Sequence, residues 1–348
     1  MPVANERIIV LESIRRNLPG IVTVLLALAA VSCDRQSPAI DRQGVNPPEI
    51  SLHLSVREDG TATPLWASGI AISIGGDAAT ALINEKRPLT PEASAWQQVL
   101  SDYLPLVEVR AGAVAELFDV PAMDVVVVAG NRGSSDGFGW IPNHIGINVQ
   151  AFADTYGSPD EGATDRMVRI VAHEYLHLLT YAAYPNHREL RQTPLDRALW
   201  TIFFEGIGDY VSVSRRWLPD EQGNYSPVAA DTLSALEPVF VERLEKLATA
   251  DEQTEQELRA GISMGKFDRK WGSLPVALWL HSEVRQCGEP NTLRTVFRLE
   301  RGSVLMLALR HASPEFRPAI RALQDRTGRR QSDAAGVGAG CLATPRDR

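Results

Sequence analysis

His173, Glu174, Tyr175, Leu176 and His177 form an HExxH pentad inside a strongly helical stretch of the 348-residue sequence. At 3.6 residues per turn, side chains four apart stand one above the other, so both imidazoles can reach one ion. Glu174, beside the first histidine, is placed to act on water at that ion. The surrounding Met167, Val168, Ile170, Val171, Ala172, Leu176, Leu178 and Leu179 imply that the group is buried. Two imidazoles and a carboxylate buried together are unfavourable without a metal or other polar partners.

A hydrolytic zinc site takes three protein ligands and keeps a fourth position for water. The third ligand must come from another element. Glu205 lies 28 residues after His177, within Phe203-Phe204-Glu205-Gly206-Ile207-Gly208-Asp209-Tyr210. Glu205 and Asp209 are again four apart, so one can bind metal while the other orients a ligand histidine through its free ring N–H. Gly206 and Gly208 remove side chains and allow this helix to approach the first. No histidine stands six residues past His177, which excludes the metzincin arrangement, and His187 reads as a surface residue.

The pentad followed by a Glu-Gly-x-x-Asp-Tyr segment resembles the gluzincin pattern of thermolysin-like and M1-like zinc peptidases, over about residues 140–215. The resemblance implies one zinc ion held by His173, His177 and Glu205, with Asp209 supporting His173. It implies Glu174 as the general base that activates zinc-bound water toward a peptide carbonyl and returns the proton to the leaving amine. It also implies a peptide or protein substrate laid along a strand edge, and His144 to Gln150 is the expected strand. A tyrosine or histidine should steady the oxyanion, with Tyr210, Tyr225 and His281 all open. Alternatives are hydrolysis of a non-peptide amide and a zinc-stabilised binding lipoprotein without turnover.

The elements that must position these groups are legible in outline. Ile50 to Val56 and Ile70 to Ile74 alternate as short strands, and Pro91 to Val107 has one helical apolar face. Met123 to Ala129 reads as a buried central strand, the glycine and serine cluster from Gly130 to Trp140 as a surface loop, and His144 to Gln150 as a half-buried strand. A helix capped by Thr164 or Asp165 should run to about Tyr184, stopped by Pro185. A second should open at Thr193-Pro194 and continue to about Arg216. Further helices are expected at Leu274 to Arg285, Asn291 to Glu300 and Pro314 to Thr327. The expected class is α+β: a zincin-like domain over 49–327, with a small mixed sheet in a lobe of about 49–150 and a mostly helical lobe of about 160–327.

The ends carry their own signals. Arg15 and Arg16 precede an apolar run from Ile21 to Val31, shorter than the roughly 20 residues a membrane-spanning helix needs but suited to an export signal. The run closes on Ala30-Val31-Ser32-Cys33, which resembles the bacterial lipobox; that resemblance implies residues 1–32 as a signal peptide and lipidation of Cys33. Residues 33–48 then read as a flexible tether, and the protein as lipid-anchored and facing the periplasm or cell exterior. Asp34 resembles an inner-membrane retention signal. In that compartment Cys287 and Cys341 can pair or stay free. Residues 328–348, rich in Gly and Ala, read as a poorly ordered tail. A net charge of -8 gives no basic surface for nucleic acid, and the late arginines (Arg317, Arg321, Arg326, Arg329, Arg330) fit a solvated helix face.

Overall fold

A computed structural model describes residues 48–327 apart from 75–79, 81–83, 134, 141, 221 and 223. The expected export signal, Cys33, nearly all of the expected tether, Cys341 and the expected tail lie outside the described residues. Among the described residues the fold is α+β, with twelve helices and one small four-stranded mixed sheet.

The sheet is built from β1 (Ile50–Leu54), β2 (Val125–Gly130), β3 (Gly137–Trp140) and β4 (His144–Asn148), in the spatial order β1-β2-β4-β3. β1, β2 and β4 run parallel and β3 runs antiparallel to β4. β2 is the continuous β-branched run, and its alternation sorts the sheet's two faces. Val125, Val127 and Ala129 join the main core with Ile145 and Ile147, while Val126 and Val128 face a smaller cluster around Trp66, Ile70 and Trp140.

Trp66 and Ile70 belong to α1 (Pro64–Ile74), where a strand was expected. An almost wholly apolar segment has no clear period, and here the spacing of four between Trp66 and Ile70 lays both on the sheet. The expected helix at Pro91 to Val107 is two helices, α2 (Pro91–Asp102) and α3 (Leu104–Phe118), broken at Tyr103. Pro105 accounts for the break, because a proline ring early in a helix removes an N–H and clashes with the preceding turn. The glycine and serine segment contains β3, so part of the expected loop is the edge of the sheet. β4 stops at Asn148, whose side chain accepts from the Ala151 N–H and opens α4 (Val149–Tyr156).

Two helices carry the HExxH segment and its partner: α5 (Ala163–Ala183) and α6 (Pro194–Ser212). α6 starts where the sequence indicates, with a reciprocal capping box between Thr193 and Asp196 and Pro194 in the first turn. Between them a short 3-10 turn, His187–Leu190, reverses the chain. The remaining helices are α7 (Pro227–Leu247), α8 (Glu252–Arg259), α9 (Ser273–Cys287), α10 (Glu289–Leu299), α11 (Arg301–His311) and α12 (Arg317–Arg326). α6 packs against both α5 and α9, so the putting together of the site depends on an element some seventy residues downstream. Cys287 is disulfide-bonded. On α12, Ile320 and Leu323 are buried while Arg321 and Arg326 are exposed, a solvated basic face. No described helix is long and apolar enough to cross a membrane.

Candidate metal centre

α5 presents His173 and His177 one turn apart, with ring centroids 4.5 Å apart and planes at 85°. α6 brings Glu205 to them. Glu205 Oε2 lies 3.6 Å from His173 Nε2 and 3.7 Å from His177 Nε2, and the three ligand atoms fall within 4.8 Å of one another. These separations exceed a good hydrogen bond, so the atoms converge on a shared point without bonding one another. Among the described residues this is the one group of histidine, cysteine or carboxylate side chains arranged to hold a metal ion.

The electrostatics of the group call for positive charge. Burial works against a charged His173, but Glu205, Glu174 and Asp209 outweigh it and raise its pKa to about 9. Burial likewise opposes ionisation of Glu205, and the two histidines overcome it, holding that carboxyl far below its usual range. His177 moves down, through burial and then the neighbouring charge on His173. A site that draws a proton onto one ligand in this way is one a cation can occupy by displacing that proton.

Close approach of the helices depends on one glycine. A Cβ at Gly208 would sit 2.7, 2.8 and 2.9 Å from three atoms of the His173 ring. Gly206 serves a different contact: a Cβ there would meet Val276 of α9 at 2.8 Å, not the HExxH helix.

Asp209 stands beside His173, 3.7 Å from Nδ1, but its carboxylate is taken by Lys270 Nζ at 3.0 Å and by the Ser273 hydroxyl at 2.6 Å. Nδ1–H of His173 donates instead to Ser212 Oγ, 3.1 Å away, and that hydroxyl in turn donates to the Asp209 carbonyl. That arrangement leaves Nε2 of His173 free to bind a metal, with Asp209 acting through its charge. His177 Nδ1 has no hydrogen-bond partner, and its ring is fixed by stacking on Phe204 at 3.8 Å. Ser212, Lys270 and Ser273 were not anticipated. Ser212 lies seven residues beyond Glu205 on the same helix face, a signal the sequence does contain.

Glu174 is 8% exposed and borders β3: a Cβ at Gly137 would be 3.0 Å from its Oε1. Burial pushes its pKa up to about 7; the charges of Glu205 and Asp136 add to the rise, and His173 and Lys270 oppose it.

No protein-family model, curated protein or solved structure matches the chain. The site therefore has to be judged on its own geometry.

The strand expected to offer an edge, His144 to Gln150, is an interior strand followed by a helix. β4, from His144, is paired on both sides by β2 and β3, and Val149 and Gln150 already belong to α4. The free edge next to the helix is β3. Gly137 borders Glu174, and a Cβ at Gly139 would lie 3.3 Å from Leu178 one turn further along α5.

The three expected oxyanion groups are all engaged elsewhere. Tyr210 donates to Glu289 and Tyr225 to the Leu278 carbonyl, and His281 is stacked on Tyr210 with Nε2 against the Tyr210 carbonyl. The packing round His281 strips water from it and lowers its pKa from 6.5 to about 4. The unfolded chain accordingly takes up a proton that the folded one refuses. His281's contribution is intact above its unfolded value and is lost as pH falls from about 6.5 to about 4. It is worth roughly 2 kcal/mol after allowing for the part of the ring that water reaches. Urea unfolding at pH 7 and pH 4 should show a smaller loss of stability in His281→Gln than in the wild type; equal losses would refute the assignment.

Proposed function

We propose that the chain is a zinc-dependent peptidase with gluzincin-type ligands on a zincin-like fold, exported and tethered to a membrane through a lipid on Cys33. One observation carries the catalytic part: the Nε2 atoms of His173 and His177 and Oε2 of Glu205 converge on a single point, with Glu174 beside it and a free strand edge crossing the same helix. Ligands on a tetrahedral zinc with bonds of about 2.0–2.2 Å stand about 3.3–3.6 Å apart. The separations here, 3.6 and 3.7 Å, need only small movements to match.

When bound there, zinc supplies a Lewis acid that polarises a carbonyl and acidifies water. The remaining work belongs to the side chains. Glu174, with a proton affinity raised by burial, accepts the proton of the attacking water and delivers it to the departing amine nitrogen as the C–N bond breaks. Ser212 holds the His173 ring so that its Nε2 points at the metal, and Phe204 does the same for His177 by stacking. Lys270 balances part of the charge of Asp209 without touching the ligand atoms. The outer edge of β3 offers main-chain N–H and C=O groups to an extended peptide, which hydrogen bonds as an added strand. The glycines at 137 and 139 let β3 itself lie close to Glu174 and Leu178 of α5, so a strand added to its edge runs beside the site.

The test is metal analysis of the purified protein followed by digestion of a peptide library. One zinc per chain and cleavage that a chelator abolishes and zinc restores are expected. A protein that binds no zinc at micromolar concentrations refutes the proposal.

A further inference from the structure

The flank of the metal centre beyond His177 carries an arginine without an acid. His177 stacks on Phe204, Phe204 packs on Tyr181 at 4.9 Å, and Tyr181 meets His187 at 5.1 Å. His187 opens the short 3-10 turn that ends in Arg191, and it stacks on Trp200 at 5.7 Å. A continuous wall of rings thus connects a ligand histidine to Arg191. Tyr181 follows His177 by one turn on α5, and the charges that act on its hydroxyl include Arg191 as well as Glu205 and Glu174 of the centre.

Arg191 is half-buried, and among the described residues its guanidinium has neither a hydrogen bond nor an ion pair. Its neighbours make matters worse. Burial lowers its pKa, and Arg259, Arg197 and Arg188 add to that with like charge while Tyr181 opposes it. The nearby acid is already used: Glu255 is clamped by Arg197 at 2.7 Å and by Arg259 at 3.1 Å. Among the described residues the Tyr181 hydroxyl also has no hydrogen-bond partner, whereas Tyr175, Tyr184, Tyr210 and Tyr225 all have one. A half-buried guanidinium set among like charges, with no acid of its own fold to balance it, favours an anion arriving with a ligand. Arginine's planar fork suits a carboxylate in two parallel hydrogen bonds, to which a phenol can add a third.

We propose that Tyr181 and Arg191 form a carboxylate-binding subsite beside the metal centre, so that the preferred peptide carries an acidic side chain or its free C-terminal carboxylate on this flank. The substrate class rests on the peptidase reading; the binding of the carboxylate does not.

The experiment measures binding of a fluorescent peptide set to zinc-loaded Glu174→Gln protein and, in parallel, kcat/KM with the wild type. At each position the set exchanges Glu for Gln, and each peptide is made as C-terminal acid and amide. Binding at least tenfold tighter for the carboxylate form is expected at one side-chain position or at the C-terminus, and which of the two identifies the source. Adding Arg191→Gln should reduce that ratio to within twofold, Arg191→Lys should keep part of it, and Tyr181→Phe should give an intermediate loss. Equal binding of all four forms, or a preference that survives Arg191→Gln, overturns the subsite. Peptides cleaved without carboxylate preference leave the peptidase standing and remove the subsite. Carboxylate-selective binding that depends on Arg191, with no peptide cleaved by the wild type, supports the subsite and removes the peptidase reading.

Discussion

On the proposed peptidase reading, Glu174→Gln should lower kcat on peptide substrates by about a thousandfold, within the range for losing a positioned general base, and leave zinc at one per chain. The two halves of that result have separate causes. Glutamine has the volume of glutamate and keeps the contact with Gly137, so the packing of β3 on α5 is retained. Since burial already pushes the pKa of Glu174 up to about 7, the neutral amide puts no new demand on the fold. The amide cannot accept a proton, however, and the water that attacks the peptide then has no base. The ligand atoms come from His173, His177 and Glu205, none of which is altered. Metal analysis and initial rates on one batch of protein decide the matter. Full activity in the variant would show that the site binds without catalysing, as expected of a zinc-stabilised binding protein.

Gly208→Ala should lower zinc affinity by 10- to 100-fold, the size of effect seen on disturbing the groups that orient a metal ligand. A methyl at this position would lie 2.7–2.9 Å from three atoms of the His173 imidazole. The ring cannot simply swing away, because Ser212 holds its Nδ1 and the ring of His177 stands 4.5 Å from it. Either the ring leaves the metal position or α5 and α6 separate. Gly206→Ala is the control: its methyl meets Val276 of α9 at 2.8 Å, so it lowers stability without moving a ligand. Zinc competition against a chromophoric chelator separates the two variants. If Gly208→Ala holds zinc as tightly as the wild type, then the glycine does not set the ligand geometry.

The parts of this molecule that could be read from residue order are those governed by short-range geometry. The turn-by-turn stacking of His173 on His177 follows from a spacing of four in a helix. The start of α6 follows from Thr193, Pro194 and Asp196, whose capping chemistry is complete within four residues. β2 was equally plain, since a bounded run of valines fits a strand buried on both faces. The choice of Glu205 as candidate third ligand comes from its place beside Asp209 in a resemblance of motif, and the structure brings it to the histidines across a gap of 28 residues.

Other features depended on partners far along the chain. Ile70 to Ile74 alternates as a strand would, yet it is helical because Trp66 and Ile70 cover a sheet face that the segment cannot specify alone. His144 to Gln150 reads as one half-buried strand offering an edge, yet it ends at Asn148 and β3 pairs with it and takes the edge beside the helix. Asp209 looks like the hydrogen-bond partner of His173, but Lys270 and Ser273, 61 and 64 residues away, claim its carboxylate and pass that role to Ser212. Which glycine of α6 faces the imidazole, and which tyrosine is left with a free hydroxyl, follow from how α5, α6 and α9 are rotated against one another. A local pattern specifies a helix and the residues on each of its faces; the element that each face meets is set by packing among segments that are distant in sequence, and no window of the sequence contains both.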